Sequence, residues 1–151
     1  LFGTENFSHR SISGKYKKYF FRSMNELSFI VNYLEKKNIE AISGEKTKGI
    51  KYFDQNNKER TYFPDFITNK FIFEIKPKHF WLCDKVILKS QAAIEYANKN
   101  NLKFRLVEYP VIIKPILNKY CNNEIKFTKI GLEKFIRIYK QKILEYQKLI
   151  S

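Results

Sequence analysis

The stretch YFPDFITNKFIFEIKPKHF (residues 62–80) contains two apolar runs joined by the polar pair Asn69-Lys70. Two strand-like runs separated by two polar residues predict a β-hairpin with a tight turn. Counting outward from that turn sets Asp65 directly opposite Glu74. Charged residues thus stand inside segments whose pattern otherwise predicts buried strands, and this feature needs a physical explanation.

The two faces of the predicted hairpin differ in character, because side chains alternate between faces along a strand. One face is predicted to be core and carries Phe66, Phe71, Phe73 and Ile75. The other face carries Asp65, Ile67, Ile72, Glu74 and Lys76. Each charged residue alone also fits a solvated strand or a turn, but their coincidence on one face favours a catalytic site.

Two opposed carboxylates repel each other. At a separation of ~5 Å and an effective dielectric constant of ~20, the repulsion is about 3 kcal/mol. A divalent cation between the Asp65 and Glu74 carboxylates would offset it, with Lys76 as a third charge beside them. Because the ligands are hard oxygens without Cys or His, the pattern predicts Mg²⁺, or Mn²⁺ in its place.

Charge is the strongest global signal. The 151 residues include 29 Lys and Arg against 15 Asp and Glu, a formal net charge of +14. The chain is also 44% hydrophobic and 17% aromatic, which argues against a disordered basic tail and for a folded protein that binds nucleic acid. No apolar run reaches the ~18 residues of a membrane span, and no signal-peptide core is present. We therefore expect no membrane association and an intracellular, cytoplasmic location.

The order of predicted elements gives a mixed α/β sheet with helices on its faces. A helix begins at Ser23, where Ser23 and Glu26 match a capping box. Two hairpins, a helix over 84–100 and a strand over 103–109 follow, and a last helix covers 129–150. We expect one domain, made of a basic N-terminal arm (1–22), a core (23–110) and a C-terminal helical extension (111–151).

The motif P-D-x8-E-x-K, from Pro64 to Lys76, resembles that of the PD-(D/E)XK nuclease superfamily. The predicted order αβββαβ follows the restriction-endonuclease-like core of those enzymes. The combination FRSxxE, PDF and EIKP is similar to phage and mobile-element endonucleases, including homing-type enzymes and the DNA-cutting subunit of heteromeric transposases. The resemblance implies a metal-dependent DNA endonuclease that hydrolyses phosphodiester bonds, with duplex DNA as its substrate and the host cytoplasm as its location if it is phage-encoded.

The resemblance also implies roles for individual residues. Asp65, Glu74 and the Ile75 carbonyl would bind the metal, and Lys76 would orient the attacking water and stabilise charge on the phosphate. Glu26 matches the first-helix acid that completes the metal site in the family, although it also fits a helix cap. Gln91 resembles a polar residue that many members place near the site.

The remaining positive charge would hold the DNA backbone. The predicted contacts lie in the leading arm and beside the acidic motif: Lys15, Lys17, Lys18, Arg22, Lys78, His79, Lys85 and Lys89. Two alternatives stay open, a structure-selective resolvase of the Holliday-junction type on the same fold and a non-catalytic basic DNA-binding module. A homodimer and a larger mobile-element complex are the assemblies that the sequence leaves open.

Overall fold

The computed structural model describes residues 11–151, so the first ten residues of the predicted arm lie outside the described residues. The chain divides into two compact units. The central unit is Ile39–Tyr109, and the terminal unit combines residues 11–38 with Pro110–Ser151 among the described residues. Residues 23–38 therefore cluster with the C-terminal segment, whereas the sequence grouped them with the core. The single-domain organisation stays a prediction.

The central unit contains six strands and one long helix among its described residues. They are β3 (Ile42–Ser43), β4 (Ile50–Phe53), β5 (Glu59–Tyr62), β6 (Phe66–Ile67), β7 (Phe71–Ile75), α2 (Asp84–Lys99) and β8 (Lys103–Val107). Four strands form a sheet in the order β3-β6-β7-β8, in which β7 and β8 are parallel and the other pairs antiparallel. Helix α2 connects the two parallel strands, as such a crossover requires. The predicted mixed α/β fold, of the restriction-endonuclease-like type, is confirmed.

The hairpin of the acidic motif has the predicted register. Phe66 pairs with Phe73 and Ile67 with Ile72. The β4–β5 hairpin forms a separate two-stranded sheet, which the sequence analysis did not predict. Pro64, between β5 and β6, lacks an N–H to donate to a ladder, and its carbonyl accepts a hydrogen bond from Gly44 N at 3.0 Å.

Both faces of β7 are covered. Phe73 and Ile75 are buried on one face, but Ile72 on the charged face is also fully buried. Its parallel neighbour Phe104 packs against a cluster formed by the β4–β5 hairpin and α2, whose buried members are Ile50, Tyr52, Tyr62 and Ala93. The sequence predicted one core face and one charged face. The charged face is also partly covered, because α2 and the β4–β5 hairpin pack over it.

The terminal unit contains β1 (Gly14–Tyr16), β2 (Tyr19–Phe21), α1 (Met24–Phe29), a π-helical continuation (Ile30–Glu35), α3 (Ile113–Cys121), β9 (Ile125–Phe127) and α4 (Lys129–Ile150). Strands β1, β2 and β9 form an antiparallel sheet in the order β2-β1-β9. Residues 14–21 of the predicted basic arm form a β-hairpin, which the sequence analysis did not predict. Helix α4 agrees with the predicted helix over 129–150. No helix among residues 11–151 is both long and apolar enough to cross a bilayer.

Candidate active site

The acidic pair lies where the β6–β7 hairpin opens. Asp65 precedes β6 and is not paired in the ladder, so it does not face Glu74 as a regular strand partner. Instead, Asp65 Oδ2 accepts a hydrogen bond from Ile75 N at 2.8 Å, and Glu74 Oε1 accepts one from Asp65 N at 3.3 Å. Each carboxylate thus contacts the backbone of the other's segment, and this interlock fixes the two acids beside each other.

Tyr62 is a third member of the site that the sequence analysis did not identify. Its hydroxyl donates to Glu74 Oε1 at 2.7 Å. Burial raises the pKa of Tyr62, and the negative charges of Glu74 and Asp65 raise it further. Glu74 Oε1 accepts hydrogen bonds from both the Tyr62 hydroxyl and the Asp65 N–H, so this hydroxyl lies beside the acidic pair. The only feature of the sequence that could have indicated a role for Tyr62 was its position at the end of β5, three residues before Asp65.

Glu74 is partly buried, and this desolvation raises the pKa of its carboxyl group. Four interactions act in the opposite direction: the hydrogen bonds from the Tyr62 hydroxyl and the Asp65 N–H, and the positive charges of Lys76 and Lys89. Burial is the larger effect, so the charged form of Glu74 remains incompletely compensated by the protein. A carboxylate in this state is suited to receive a cation.

Lys76 is held at the end of β7 by its backbone. Its N–H donates to Val107 O at 2.8 Å, and its carbonyl accepts from Trp81 Nε1 at 2.8 Å. Lys76 is partly buried, and its positive charge lowers the pKa of Glu74. The structure therefore brings together the three residues of the predicted motif, Asp65, Glu74 and Lys76.

Helix α2 contributes Lys89 to the site. The Lys89 ammonium lies 5.4 Å from the centroid of the Tyr62 ring. Burial lowers the pKa of Lys89, as does the charge of Lys85, while Glu74 and Asp65 raise it. Gln91 is exposed and lies two residues, or about 200° around the helix, from Lys89. The role of Gln91 stays a prediction. Lys89, which the sequence predicted only as a DNA contact, is an α2 residue whose positive charge lowers the pKa of Glu74.

Glu26 lies in the terminal unit and caps α1. Its N–H donates to Ser23 Oγ at 3.1 Å, and its Oε1 accepts from Arg22 N at 3.2 Å. These bonds satisfy backbone donors that the start of a helix leaves without partners. The capping prediction is confirmed, and the metal-binding role of Glu26 stays a prediction.

The predicted DNA contacts occur in both units. Seven of them are exposed, namely Lys15, Lys17, Lys18, Arg22, Lys78, His79 and Lys85, and Lys89 is partly buried. Lys17 forms an ion pair with Glu35 at 3.0 Å. His79 packs against Phe80, with ring centroids 4.2 Å apart. Their contact with DNA stays a prediction.

The donor set of the site fits a hard divalent cation. Within residues 11–151, no group of three or more His, Cys, Asp or Glu side chains gathers to hold a metal ion. The site supplies two carboxylates, Asp65 and Glu74, and the Ile75 carbonyl belongs to the same segment. Mg²⁺ suits such a site, because it keeps several water ligands and commonly binds proteins through one or two carboxylates.

The order of elements and the hairpin register agree with the predicted restriction-endonuclease-like fold. Residues 36–108 match the family model described as TnsA-like endonuclease N terminal. The match covers both hairpins, α2 and β8, and it confirms the predicted resemblance to transposase-associated nucleases of mobile elements. Glu26 lies outside the matched segment. No curated protein and no solved structure gives a significant match.

Proposed function

We propose that this protein is a Mg²⁺-dependent endonuclease that hydrolyses phosphodiester bonds in duplex DNA, and that Mn²⁺ can replace Mg²⁺. The observation that carries this proposal is the interlocked pair Asp65 and Glu74 with Lys76 two residues along the same strand. The family match over residues 36–108 supports the nuclease class. The net charge of +14 supports a polyanionic substrate.

Asp65, Glu74 and the Ile75 carbonyl would hold the cation. When bound, Mg²⁺ lowers the pKa of a water molecule and neutralises charge on phosphate oxygens. The protein supplies the orientation: Tyr62 fixes one oxygen of Glu74, and the Ile75 N–H fixes one oxygen of Asp65. These two hydrogen bonds thereby orient the remaining oxygen of each carboxylate.

Lys76 would orient the attacking water and stabilise the charge that develops on the phosphate. Its ammonium is a compact point charge, which suits this task. Its N–H donates to the Val107 carbonyl and its own carbonyl accepts from Trp81, and these two bonds limit the movement of Lys76 at the end of β7. Lys89 would add a second positive charge on the side of α2.

The test is cleavage of supercoiled plasmid in Mg²⁺, with EDTA as the metal-free arm. The variants are Asp65→Asn, Glu74→Gln and Lys76→Ala. We expect cutting only with metal, and a rate lower by about 10² to 10³ for Lys76→Ala, the loss typical of removing one charge-stabilising donor. The two acid variants should lose cutting altogether and still bind DNA.

Matched controls come from the exposed ion pair Glu95 and Lys99 on α2, 3.7 Å apart. Glu95→Gln and Lys99→Ala remove the same charges as the active-site variants at little cost in stability. Both should cut like the wild type. Cleavage that survives in Asp65→Asn and Glu74→Gln would refute the assigned residues, and DNA binding without any cleavage by the wild type would identify a non-catalytic binding module.

A further inference from the structure

A cleft of about 380 Å³ lies in the central unit between the β4–β5 hairpin and α2. Its size falls within the range of small-molecule sites in proteins. Tyr52, which is buried, belongs to the hairpin wall, and Lys85 and Lys89 line the cleft from α2. The sequence analysis predicted Lys85 and Lys89 as DNA contacts, but it did not predict a cleft between them and the β4–β5 hairpin.

The cleft is positively charged. Its cations are Arg60, Lys85 and Lys89, and one carboxylate, Asp54, also lines it. Asp54 is hydrogen-bonded within the β4–β5 hairpin. Its Oδ2 accepts a hydrogen bond from Arg60 Nε at 2.9 Å, and its Oδ1 accepts one from the N–H of Asn56 at 2.9 Å. Asp54 therefore fixes the turn and the position of Arg60, and three positive charges against one negative charge leave the cleft suited to an anion.

The two lysines of α2 face the same space. The positive charge of Lys85 repels the partly buried ammonium of Lys89 and lowers the pKa of Lys89. An anion bound between them would relieve that repulsion. A phosphate is the anion that lysines and an arginine together commonly bind.

The cleft adjoins the acidic pair. Lys89 lines the cleft and also lies over the ring of Tyr62, whose hydroxyl donates to Glu74. A ligand in the cleft is thus separated from the acidic pair by the Lys89–Tyr62 contact. At the hairpin turn, the exposed amides of Gln55 and Asn56 also line the cleft. Amide side chains both donate and accept hydrogen bonds, which sugars and base edges require.

We propose that this cleft binds one nucleotide of the DNA next to the scissile phosphate. Its phosphate lies on Lys85, Lys89 and Arg60, and its sugar or base lies against Gln55 and Asn56. This inference rests on the proposed function, because it assigns a substrate subsite to the same active site. It makes the β4–β5 turn a determinant of where the enzyme cuts.

The first test is DNA binding in EDTA, which does not depend on cutting. Lys85→Ala is compared with Lys99→Ala, which removes the same charge from the exposed C-terminal turn of α2. We expect Lys85→Ala to bind a short duplex about tenfold more weakly. The slope of log K against log salt concentration should fall by about 0.9, the value for one lost phosphate contact. Lys99→Ala should leave both quantities unchanged.

The second test locates the nucleotide. Single phosphates around the mapped cut are replaced, one at a time, by uncharged methylphosphonates, and kcat/KM is measured. In the wild type and Lys99→Ala, replacing one particular phosphate beside the cut should lower kcat/KM. In Lys85→Ala the cost at that position should be clearly smaller, because Lys85 no longer contacts the phosphate while Lys89 and Arg60 still do.

The outcomes separate the two proposals. If the wild type cuts but Lys85→Ala matches Lys99→Ala in binding and retains the penalty at every position, the cleft proposal is wrong and the nuclease proposal stands. If the wild type never cuts but Lys85→Ala alone weakens binding, the cleft binds DNA and the nuclease proposal fails. Equal binding by both variants, without cutting, would refute both.

Discussion

Glu74 is in an unusual environment for a carboxylate. It lies in a strand in which Ile72, Phe73 and Ile75 are buried. Its Oε1 accepts hydrogen bonds from Tyr62 and from the Asp65 backbone. Burial nevertheless raises the pKa of Glu74. A group whose folded-state pKa is raised stabilises the fold at low pH, and that contribution is lost as the pH rises through the folded-state pKa.

Glu74→Gln should therefore be more stable than the wild type in EDTA at neutral pH. Glutamine keeps an acceptor for Tyr62 but carries no charge to desolvate. The difference in unfolding free energy should shrink as the pH is lowered toward the ordinary range of a glutamate. Urea unfolding between pH 5 and 8 measures it, with Glu95→Gln as the control that shows no such trend. A Glu74→Gln protein that is less stable at every pH would contradict the desolvation argument.

The sequence was sufficient to predict that the two acids lie beside each other, but not to find their neighbours or the backbone hydrogen bonds that join their segments. A two-residue turn and strict alternation determine the hairpin register, so Asp65 and Glu74 followed from local rules. Tyr62 and Lys89 join them only because the β4–β5 hairpin and α2 pack over one face of the sheet. That packing depends on contacts distant in sequence, which local patterns do not encode.

The segment before β6 positions Asp65 through a close backbone contact. Gly44 N donates to Pro64 O at 3.0 Å. A Cβ at Gly44 would lie 2.1 Å from Pro64 O and 2.7 Å from Pro64 N. Because both are backbone atoms, no side-chain rotation can make room, and Pro64 directly precedes Asp65.

Gly44→Ala should displace Pro64 and with it the Asp65 carboxylate. We expect a loss of about 1–3 kcal/mol in unfolding free energy, the usual cost of overpacking, together with weaker Mg²⁺-dependent cleavage. Chemical unfolding and plasmid cleavage test the two effects. Lys46→Ala, in the same short turn and exposed, is the control. A Gly44→Ala protein with wild-type stability and activity would show that the contact is not required.

The elements missed by the sequence analysis are short and lack turn signals. Strands β1 and β2 have three residues each, and the turn between them is Lys17-Lys18. Lys17 adopts a positive φ of 54°, a conformation usually taken by Gly or Asn, so no turn was predicted. Strand β9 completes that sheet from a distant part of the chain, which alternation within either segment cannot indicate.

The whole chain combines a strong positive charge with two compact units. The charge of +14 belongs to both, since the predicted DNA contacts occur in each. Binding to a polyanion by such a protein is driven largely by release of counterions from the phosphates. The net positive charge follows from the sequence composition alone. The division into two units depends on contacts between residues distant in sequence.

DNA affinity should fall steeply with salt. With about 6–10 phosphates neutralised, the binding constant should drop by roughly 10³ to 10⁵ between 50 and 200 mM salt. Fluorescence anisotropy with a labelled duplex in EDTA measures it. An affinity that hardly changes over this range would argue against backbone binding by the basic surface.

The acidic pair is tested most directly by binding of Mn²⁺, followed by the loss of the free-ion signal in electron paramagnetic resonance. Wild type and Glu95→Gln should show a saturable site, and Asp65→Asn and Glu74→Gln should bind at least about tenfold more weakly, because each removes one of the two carboxylates. Equal Mn²⁺ affinity in all four proteins, or no binding by the wild type, would contradict a divalent-cation site at Asp65 and Glu74.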